Sequence, residues 1–352
     1  MFMNEQTFTH LLTNWYQKFG RGLPWRAEES QCANPYWVWI SEIMLQQTTV
    51  QTVKSRFVKF VKRWPTVQEL AQASIDDVLH EWQGLGYYNR AHNLHRCANL
   101  IVDKYGGTFP SEVNELIKLP GIGQYTSSAL AAIAFNKPVV AIDVNVDRVF
   151  SRLYALEENL SARRKKIIIK TKNFINNKNS HIISQALMDF GSVVCTSKKP
   201  KCKQCIFINL CDSFSKGLVE KIPVVFAKNK KQTRYGVVFW VENTEGSVLL
   251  QKRPNNGLYR GMMEFPSTPW RKKNWDFESA KKYFPIKTKW HDTQIIVKHS
   301  LSHFNLVLNV YSGKIEKINF GTWINLNEIK NYALPTVMKK IAEEFTNNLD
   351  VV

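Results

Sequence analysis

The stretch from Leu119 to Arg148 constrains the fold most, because its glycines dictate a tight turn directly before a helix. Gly121 and Gly123 flank one residue, so the backbone can approach a partner closely with no Cβ in the way. The following Gln124–Phe135 is rich in Ala, Ser and Leu and predicts a helix. Its free N–H groups and positive dipole end point out of the turn, which suits a phosphate.

A lone acid, Asp143, follows inside the apolar run Pro138–Val144. Two interpretations of this acid stay open. It is either a functional carboxylate close to the turn, or a capping residue after a glycine-rich connection between two helices. The rest of the chain has to decide between them.

A second isolated acid lies earlier in the chain. Glu42 is the only charged residue between Glu29 and Lys54, and its neighbours in the predicted helix Tyr36–Arg63 are apolar. A buried carboxylate is costly unless it is paired, solvated or neutral, and desolvation raises its pKa. Such a Glu is suited to act as a general acid near neutral pH. The alternative is a Glu on the exposed side of an amphipathic helix.

Three other stretches each have a functional and a structural interpretation. Gly22–Arg26 places a tryptophan beside an arginine and predicts either a pocket wall or a simple turn that packs the ring. Trp82–Ala91 combines two glycines, two tyrosines and an arginine, which suits base stacking or wedging, or a turn that buries its rings. Arg163–Lys166 is interpreted as the solvated face of a basic helix.

Four of the six cysteines share the spacing C-x6-C-x2-C-x5-C: Cys195, Cys202, Cys205 and Cys211. No secretory signal and no membrane-spanning window are visible, so we expect a cytoplasmic protein, in which disulfides are unusual. Four thiolates hold either a zinc ion or a [4Fe–4S] cluster, and the spacing leaves both open. The loop between the first two cysteines contains three lysines, Lys199 among them, and suits contact with phosphates. Cys32 and Cys97 are expected to be buried structural thiols.

A chain of 352 residues is too long for one ordinary core and predicts two domains. We place an all-α domain at 1–218, a polar basic linker at 219–233 and an α+β domain at 234–352. The net charge of +19 is spread over both halves and favours a polyanion partner. The signals of the second domain are a hairpin of Tyr235–Val241 and Ser247–Arg253, strands over Gln294–Val310 interrupted at Ser300–His303, and a helix at Leu334–Phe345.

Five motifs follow one another along the chain: Ser41–Thr48 (SEIMLQQT), Gly84–Tyr88 (GLGYY), Leu119–Gly123 (LPGIG), Asp143 and the four-cysteine spacing. Together they resemble the helix-hairpin-helix DNA glycosylases, and within them the MutY-type adenine glycosylases. The C-terminal half is similar to the MutT-like recognition domain of that family. The resemblance implies an all-α glycosylase domain with an iron–sulfur cluster loop at 195–211, followed by a smaller α+β, Nudix-like domain.

The resemblance implies hydrolysis of the N-glycosidic bond of adenine mispaired with 8-oxoguanine or guanine in double-stranded DNA. Glu42 matches the glutamate that protonates adenine, and Asp143 the aspartate that stabilises the oxocarbenium-like sugar. Tyr125 stands where bifunctional endonuclease III-type enzymes carry a lysine, which implies base removal without efficient strand cleavage. The implied protein is a monomer without membrane contact that acts in the cytoplasm on nucleoid DNA.

The resemblance also implies further contacts. The residues implied to line the pocket or touch DNA are Leu23, Trp25, Arg26, Gln47, Thr48, Tyr87, Gly121, Gly123, Gln185, Lys199, Ser302 and His303. The residues implied to ligate a [4Fe–4S] cluster are Cys195, Cys202, Cys205 and Cys211.

The sequence departs from the family pattern at three positions: Leu301 replaces a Phe, Val144 replaces a Gly, and Asp147 stands where neutral or basic residues are usual. The extra carboxylate of Asp147 is expected to weaken DNA contact or to raise the pKa of Asp143. The carboxylate-rich Nudix signature is missing, so diphosphate hydrolysis is not expected. Two alternatives stay open: a bifunctional glycosylase and lyase for oxidised pyrimidines, and a mismatch-binding protein that has lost catalysis.

Overall fold

The computed structural model describes residues 5–27, 32–172, 174–175, 179–224, 231–316 and 319–349. The chain divides into two compact units, the first formed by Met1–Gln72 and Asn93–Ala227, the second by Ala73–His92 and Lys228–Val352. The first unit is helical and the second combines helices with a sheet, which confirms the predicted fold class. The sequence-based boundaries stay a prediction; residues 73–92, placed there in the first domain, are grouped with the second unit.

The helices of the described residues are α1 (Glu5–Phe19), α2 (Pro35–Leu45), α3 (Val50–Arg63), α4 (Val67–Gln72), α5 (Ile75–Glu81), α6 (Asn89–Tyr105), α7 (Val113–Leu116), α8 (Gln124–Phe135), α9 (Val144–Leu153), α10 (Leu160–Thr171), α11 (Ser180–Val193), α12 (Asp212–Ser215), α13 (Phe277–Lys281) and α14 (Thr336–Leu349). The strands are β1 (Gln232–Asn243), β2 (Ser247–Lys252), β3 (Met263–Glu264), β4 (His291–Ser300), β5 (Phe304–Ile315) and β6 (Thr322–Asn325). No helix in the described part of the chain is long and apolar enough to cross a bilayer.

The two glycines of the turn between α7 and α8 differ, because only Gly121 is required by its own backbone geometry. Gly121 has φ 78°, and a Cβ there would lie 2.8 Å from the Cβ of Asn93, so backbone strain and close approach both exclude larger residues. Gly123 is the N-cap of α8 and supplies no side-chain cap, so the first N–H groups of α8 lack a cap from that residue. The helix predicted over Gln124–Phe135 is confirmed.

The helix predicted from Tyr36 to Arg63 is wrong in one respect, because it is interrupted between α2 and α3. Gln47 adopts φ 59°, a left-handed conformation that no helix continues through. The side chain of Thr49 then accepts a hydrogen bond from the N–H of Thr52 and caps α3. Threonine favours such caps over helix interiors, so this Thr-rich stretch starts a new helix.

The core of the first unit forms where α8 and α11 pack together, with α2 on α8 and α1 on α11. Every residue of α8 from Thr126 to Ala134 is buried, and most of these side chains are small, which allows close approach of its neighbours. Phe8 of α1 stacks on Phe207 at 4.9 Å between ring centroids and so ties α1 to the cysteine-rich loop. Cys97 is buried, as predicted, whereas Cys32 is exposed just before the cap of α2, so that prediction is wrong.

The sheet of the second unit has the strand order β3-β2-β1-β5-β4, with β6 paired to β2. The long central strands β1 and β5 run parallel, from Gln232 opposite Phe304 to Asn243 opposite Ile315. β1 and β2 form an antiparallel hairpin, as predicted. β4 and β5 also pair antiparallel, and residues 301–303 separate these two strands. On the sheet, Trp240 stacks against Phe345 of α14 with 4.0 Å between ring centroids.

Candidate active site

The first unit contains a cavity of about 490 Å³ that lies between α2, α8, α9 and α11. Its volume is within the range of small-molecule sites, which is roughly 300 to 1,000 Å³. Nine residues that the sequence analysis implicated lie on its wall: Leu23, Trp25, Arg26, Glu42, Gln47, Thr48, Tyr125, Asp143 and Gln185. Residues more than 160 positions apart in the chain are therefore brought together as predicted.

Glu42 lies in the middle of α2 with only 6% of its surface exposed. Burial, helped by the nearby charge of Asp143, raises the pKa of its carboxyl to about 7. A hydrogen bond from the Tyr125 hydroxyl and the charge of Arg26 act in the opposite direction. The interpretation of Glu42 as a residue on an exposed helix face is thereby excluded, and the side chain is half-protonated near neutral pH.

Asp143 is both a helix cap and a pocket residue, so the capping interpretation is confirmed, and its role as a functional carboxylate stays a prediction. Its Oδ1 accepts hydrogen bonds from the backbone N–H groups of Asn145 at 2.9 Å and Val146 at 2.7 Å. Its Oδ2 accepts a third from Nδ2 of Asn145 at 2.7 Å. Burial raises the pKa of Asp143, and the three N–H donors and Arg148 oppose this shift without cancelling it, so the ionised form of Asp143 accepts more hydrogen bonds than that of Glu42.

Asn145 connects Asp143 to the cysteine-rich loop through Arg148. Nη2 of Arg148 donates to Oδ1 of Asn145 at 2.7 Å and to the carbonyl of Gly191 at 2.6 Å. Nε of Arg148 donates to the carbonyl of Cys195 at 2.7 Å. The orientation of the Asp143 carboxylate therefore depends on the positions of α11 and of the first cysteine.

Asp147 does not act as the sequence analysis expected. Its carboxylate is buried and forms a two-point ion pair with Arg163 of α10, with Nε–Oδ1 at 3.0 Å and Nη2–Oδ2 at 2.8 Å. Nη1 of Arg163 also donates to the carbonyl of Glu158. Asp147 is thus paired inside the protein, and Arg163 is no part of a solvated face.

Arg26 lines the cavity, but its guanidinium is engaged within the protein. Its Nη1 and Nη2 donate to the two carboxylate oxygens of Asp189 at 2.6 and 2.7 Å, and Arg21 pairs with the same carboxylate. The fully buried Asp189 keeps a pKa below its usual value; burial acts against this shift, and the hydrogen bond and charge of Arg26 outweigh it. The pocket-wall interpretation of Arg26 agrees with this geometry, and its contact with DNA stays a prediction.

Three non-glycine residues predicted to touch DNA have left-handed backbones: Gln47 at φ 59°, Tyr87 at φ 48° and Lys199 at φ 47°. Such conformations cost about 1 to 3 kcal/mol for residues other than Gly, and they concentrate at functional sites. Gln47 follows α2 on the cavity wall, Tyr87 follows Gly86 in the second unit, and Lys199 lies in the loop after Cys195. The backbone holds each of these residues on a sharp turn.

In the second unit the structure brings Tyr87 to Ser302, 215 positions later in the chain. The two hydroxyls form a hydrogen bond, and the guanidinium of Arg90 lies over the Tyr87 ring at 5.6 Å. Ser302 and His303 are exposed at the turn between β4 and β5. The ring of Tyr87 stays partly exposed, so the interpretation that this turn buries its rings applies to Tyr88 and not to Tyr87.

The four clustered cysteines line one small cavity in the first unit, together with Arg152. Nη1 of Arg152 contacts Sγ of Cys195 at 3.4 Å and donates to the carbonyl of Thr196 at 2.6 Å. Sγ of Cys211 lies 3.3 Å from the carbonyl of Arg152. Among the described residues, no group of three or more His, Cys, Asp or Glu side chains is arranged to hold a metal ion.

Five residues that support or line the site were not predicted from the sequence: Asn145, Arg148, Arg152, Arg164 and Asp189. Asn145, Arg148 and Arg152 lie on α9 among other polar residues, Asp189 lies on α11, and no local pattern shows their partners. Arg164 belongs to the basic run Arg163–Lys166, and nothing in the sequence distinguishes its surroundings from those of the adjacent Arg163. Their roles depend on tertiary contacts between α9, α10 and α11.

The comparisons agree with this architecture. A model of the HhH-GPD superfamily of base excision DNA repair proteins matches residues 40–177, and a NUDIX domain model matches residues 237–344. A thermostable thymine-DNA glycosylase has a similar fold, with a TM-score of 0.54 and 28% identity over 60% of this chain and 97% of that one. The fold and the cavity thus define a helix-hairpin-helix glycosylase of base excision repair joined to a Nudix-like domain.

Relatives define the family more closely. The chain is 34% identical to the adenine DNA glycosylase of Buchnera aphidicola subsp. Baizongia pistaciae, over 96% of this chain and 97% of that protein. It is also 34% identical to the enzyme of the same name from the subspecies Acyrthosiphon pisum, over 99% of this chain and 100% of that one. The chain belongs to the adenine DNA glycosylase family.

Proposed function

We propose that the protein removes adenine mispaired with 8-oxoguanine or guanine from double-stranded DNA by hydrolysing its N-glycosidic bond. The observation that carries this proposal is the pairing of Glu42 and Asp143 in one cavity, with Tyr125 bonded to Glu42. Glycoside cleavage uses one carboxyl group that stays protonated and one that stays ionised. The environments of these two residues differ in that sense.

The proposed reaction begins when the adenine nucleotide leaves the base stack, at a cost of roughly a few kcal/mol. Glu42 donates its proton to N7 of adenine, which makes the base a better leaving group. The Asp143 carboxylate stabilises the positive charge that develops on the sugar as the bond to the base breaks. Glu42, now ionised, accepts a proton from the water that attacks C1′, which regenerates the acid.

Tyr125 supports a mechanism without strand cleavage. A lyase needs an amine that forms a Schiff base with C1′, and no lysine belongs to the described residues that line this cavity. Borohydride reduction during turnover is therefore expected to trap no covalent adduct with DNA. Efficient trapping would instead support a bifunctional glycosylase and lyase.

DNA contacts in the proposal extend over both units. The N–H groups at the start of α8, presented by the turn of Gly121 and Gly123, bind a phosphate, and Lys199 binds another. Gln47 and Thr48 on the cavity wall face the opposing base. Gln185, also on that wall, contacts the edge of adenine.

The second unit carries the proposed reader of 8-oxoguanine. Ser302 and His303 on the β4–β5 turn offer polar groups to the lesion, and Tyr87, bonded to Ser302, supplies an exposed ring for stacking. Substitution of Ser302 and His303 by Ala is expected to reduce the preference for 8-oxoguanine over guanine while release from A:G pairs persists. If this variant keeps the preference for 8-oxoguanine over guanine, Ser302 and His303 do not recognise the lesion.

We also propose that Cys195, Cys202, Cys205 and Cys211 hold a [4Fe–4S] cluster, because all four thiols line one cavity. When bound to these cysteines, the cluster would stiffen the loop that carries Lys199. Purified protein is expected to be yellow-brown and to contain about four iron atoms per chain. A colourless protein with one zinc per chain would contradict the assignment.

The alternative of a mismatch-binding protein that has lost catalysis was suggested by Asp147 and Val144. The ion pair of Asp147 with Arg163, and the presence of Glu42 and Asp143 in one cavity, support the catalytic proposal over this alternative. We place the protein as a monomer on nucleoid DNA in the cytoplasm, in keeping with its proposed substrate and its charge of +19.

A further inference from the structure

Arg164 of α10 lines the same cavity as Glu42 and Asp143, beside Val144 and Asn145 of the first turn of α9. Its Nε is buried and has no hydrogen-bond partner among the described residues. A buried N–H donor without a partner is unfavourable, so such groups usually meet a ligand or water. The remainder of the Arg164 side chain is partly exposed and within reach of a ligand in the cavity.

The other arginines near this cavity are already engaged. Arg21 and Arg26 share the carboxylate of Asp189, and Arg163, adjacent in sequence to Arg164, is held by Asp147. Arg164 therefore differs from them in having an unpaired donor that adjoins the cavity. Its positive charge adds to the attraction for an anion at this position.

The chemistry of the ligand follows from the position of Arg164 on the cavity wall. In the proposed reaction the adenine lies against Glu42 and the sugar against Asp143, so the phosphates of that nucleotide lie at the rim beyond Asp143. Val144 stands at this position with 69% of its surface exposed. A planar guanidinium binds a phosphate through two parallel N–H donors.

We propose that Arg164 binds a phosphodiester of the flipped nucleotide and thereby holds its backbone at the rim of the cavity. This inference rests on the proposed function.

The test compares Arg164→Gln, Arg164→Lys and Lys165→Gln. Lys165 is exposed on the same helix and does not belong to the described lining of the cavity, so Lys165→Gln removes the same charge as a matched control. Binding is measured on a duplex with 2′-fluoro-2′-deoxyadenosine opposite 8-oxoguanine, because the fluorine disfavours the oxocarbenium-like state and prevents cleavage.

Arg164→Gln is expected to weaken binding about tenfold or more, since a charged hydrogen bond to phosphate is lost. The slope of log K against log salt should become less steep by about 0.9, the value for one phosphate contact. Arg164→Lys should retain the salt slope and recover part of the affinity, and Lys165→Gln should change each much less.

An Arg164→Gln affinity within twofold of wild type, or an equal loss in Lys165→Gln, would overturn the assignment. A failure of the proposed function is separate, because it would appear as no adenine release by the wild-type protein, whatever the affinity of the variants. Circular dichroism and the visible absorbance of each variant establish that the loss of binding does not come from unfolding.

Discussion

Two carboxyl groups share one cavity, and their surroundings differ in ways that suit the two proposed roles. Glu42 lies within an apolar helix and accepts a hydrogen bond from Tyr125, so burial dominates and raises its pKa to about 7. Asp143 caps α9 and accepts three N–H hydrogen bonds that favour its ionised form. The pKa of both carboxyl groups is raised by burial, and the hydrogen bonds to Asp143 suit it better than Glu42 to the proposed role of the anion.

Replacing Glu42 by Gln tests the acid directly. The amide is nearly isosteric but donates no proton to N7, so single-turnover release of adenine should fall by roughly 10² to 10⁴. Binding of the same duplex should change little, because the substitution adds no charge to the cavity. Release at a near wild-type rate would show that another group supplies the proton.

The pH dependence of adenine release follows from the same two groups. Glu42 acts as an acid, so the second-order rate constant should fall as pH rises through about 7, by about tenfold per pH unit beyond it. Asp143 has to be ionised, and burial raises its pKa, so the rate should also fall in acid. The alkaline fall should disappear in Glu42→Gln; if it persists there, Glu42 is not its cause.

The residues themselves explain what the sequence was able to predict at this scale. The isolation of Glu42 among apolar neighbours predicted its burial without any tertiary information. Asp147 shows the limit, because its partner Arg163 lies 16 positions away on another helix, and no local pattern separates a paired carboxylate from a free one. The expectation about Asp147 was wrong for that reason.

At the scale of elements, the first turn of α9 organises the site. Asp143 caps it, Asn145 and Arg148 connect it to α11 and to Cys195, and Asp147 connects it to α10. The position of one helix N-terminus thus fixes the geometry of the anionic group in the proposed reaction.

Asp147→Asn should destabilise the first unit without changing catalysis. Removing one partner of a buried ion pair costs about 3 to 5 kcal/mol, so the melting temperature should fall by several degrees. The pH profile of adenine release should keep its acid limb, because Asp147 does not set the pKa of Asp143. Arg163→Gln should show a similar loss, and the double variant less than the sum.

An unchanged melting temperature together with a displaced acid limb in Asp147→Asn would contradict this account. That result would support the expectation from the sequence that Asp147 raises the pKa of Asp143.

Gly191 of α11 allows the close approach that orients Asn145. A Cβ on Gly191 would lie 2.7 Å from the Cβ of Asn145 and 2.9 Å from its carbonyl oxygen. Gly191→Ala should therefore shift Asn145 and slow adenine release, although alanine is the better helix former. Single-turnover rates would show this, with Gly22→Ala as control, since nothing lies within 4 Å of a Cβ there. Equal rates in Gly191→Ala and wild type would contradict the role of this contact.

Helix boundaries were predictable where strong local signals were present. The glycines before α8 and the composition of Gln124–Phe135 were sufficient to place that helix. The break between α2 and α3 was missed, because the left-handed Gln47 and the Thr49 cap have no glycine or proline to mark them. The turn between α2 and α3 carries two residues that are predicted to contact DNA. The interruption of the helix therefore lies at a proposed DNA-binding position.

For the whole molecule, the sequence predicted an all-α part, an α+β part and a basic surface, and the structure agrees with both fold classes. It did not predict that residues 73–92 are grouped with the second unit, because that grouping depends on long-range contacts such as Tyr87 with Ser302 and Gln83 with the carbonyl of Tyr332. The predicted domain boundary was placed at the linker because the amino-acid composition changes there. The compact units are instead defined by contacts between residues, wherever these lie in the chain.

Single-turnover base release on a panel of duplexes tests the central claim most directly. The panel contains A:8-oxoguanine, A:G, A:C and thymine-glycol pairs, and each is measured with excess wild-type protein and with Glu42→Gln. We predict adenine release from A:8-oxoguanine and A:G by the wild-type protein, strong slowing in Glu42→Gln, and no release of thymine glycol. Release of thymine glycol with strand cleavage, or no adenine release at all, would contradict the account.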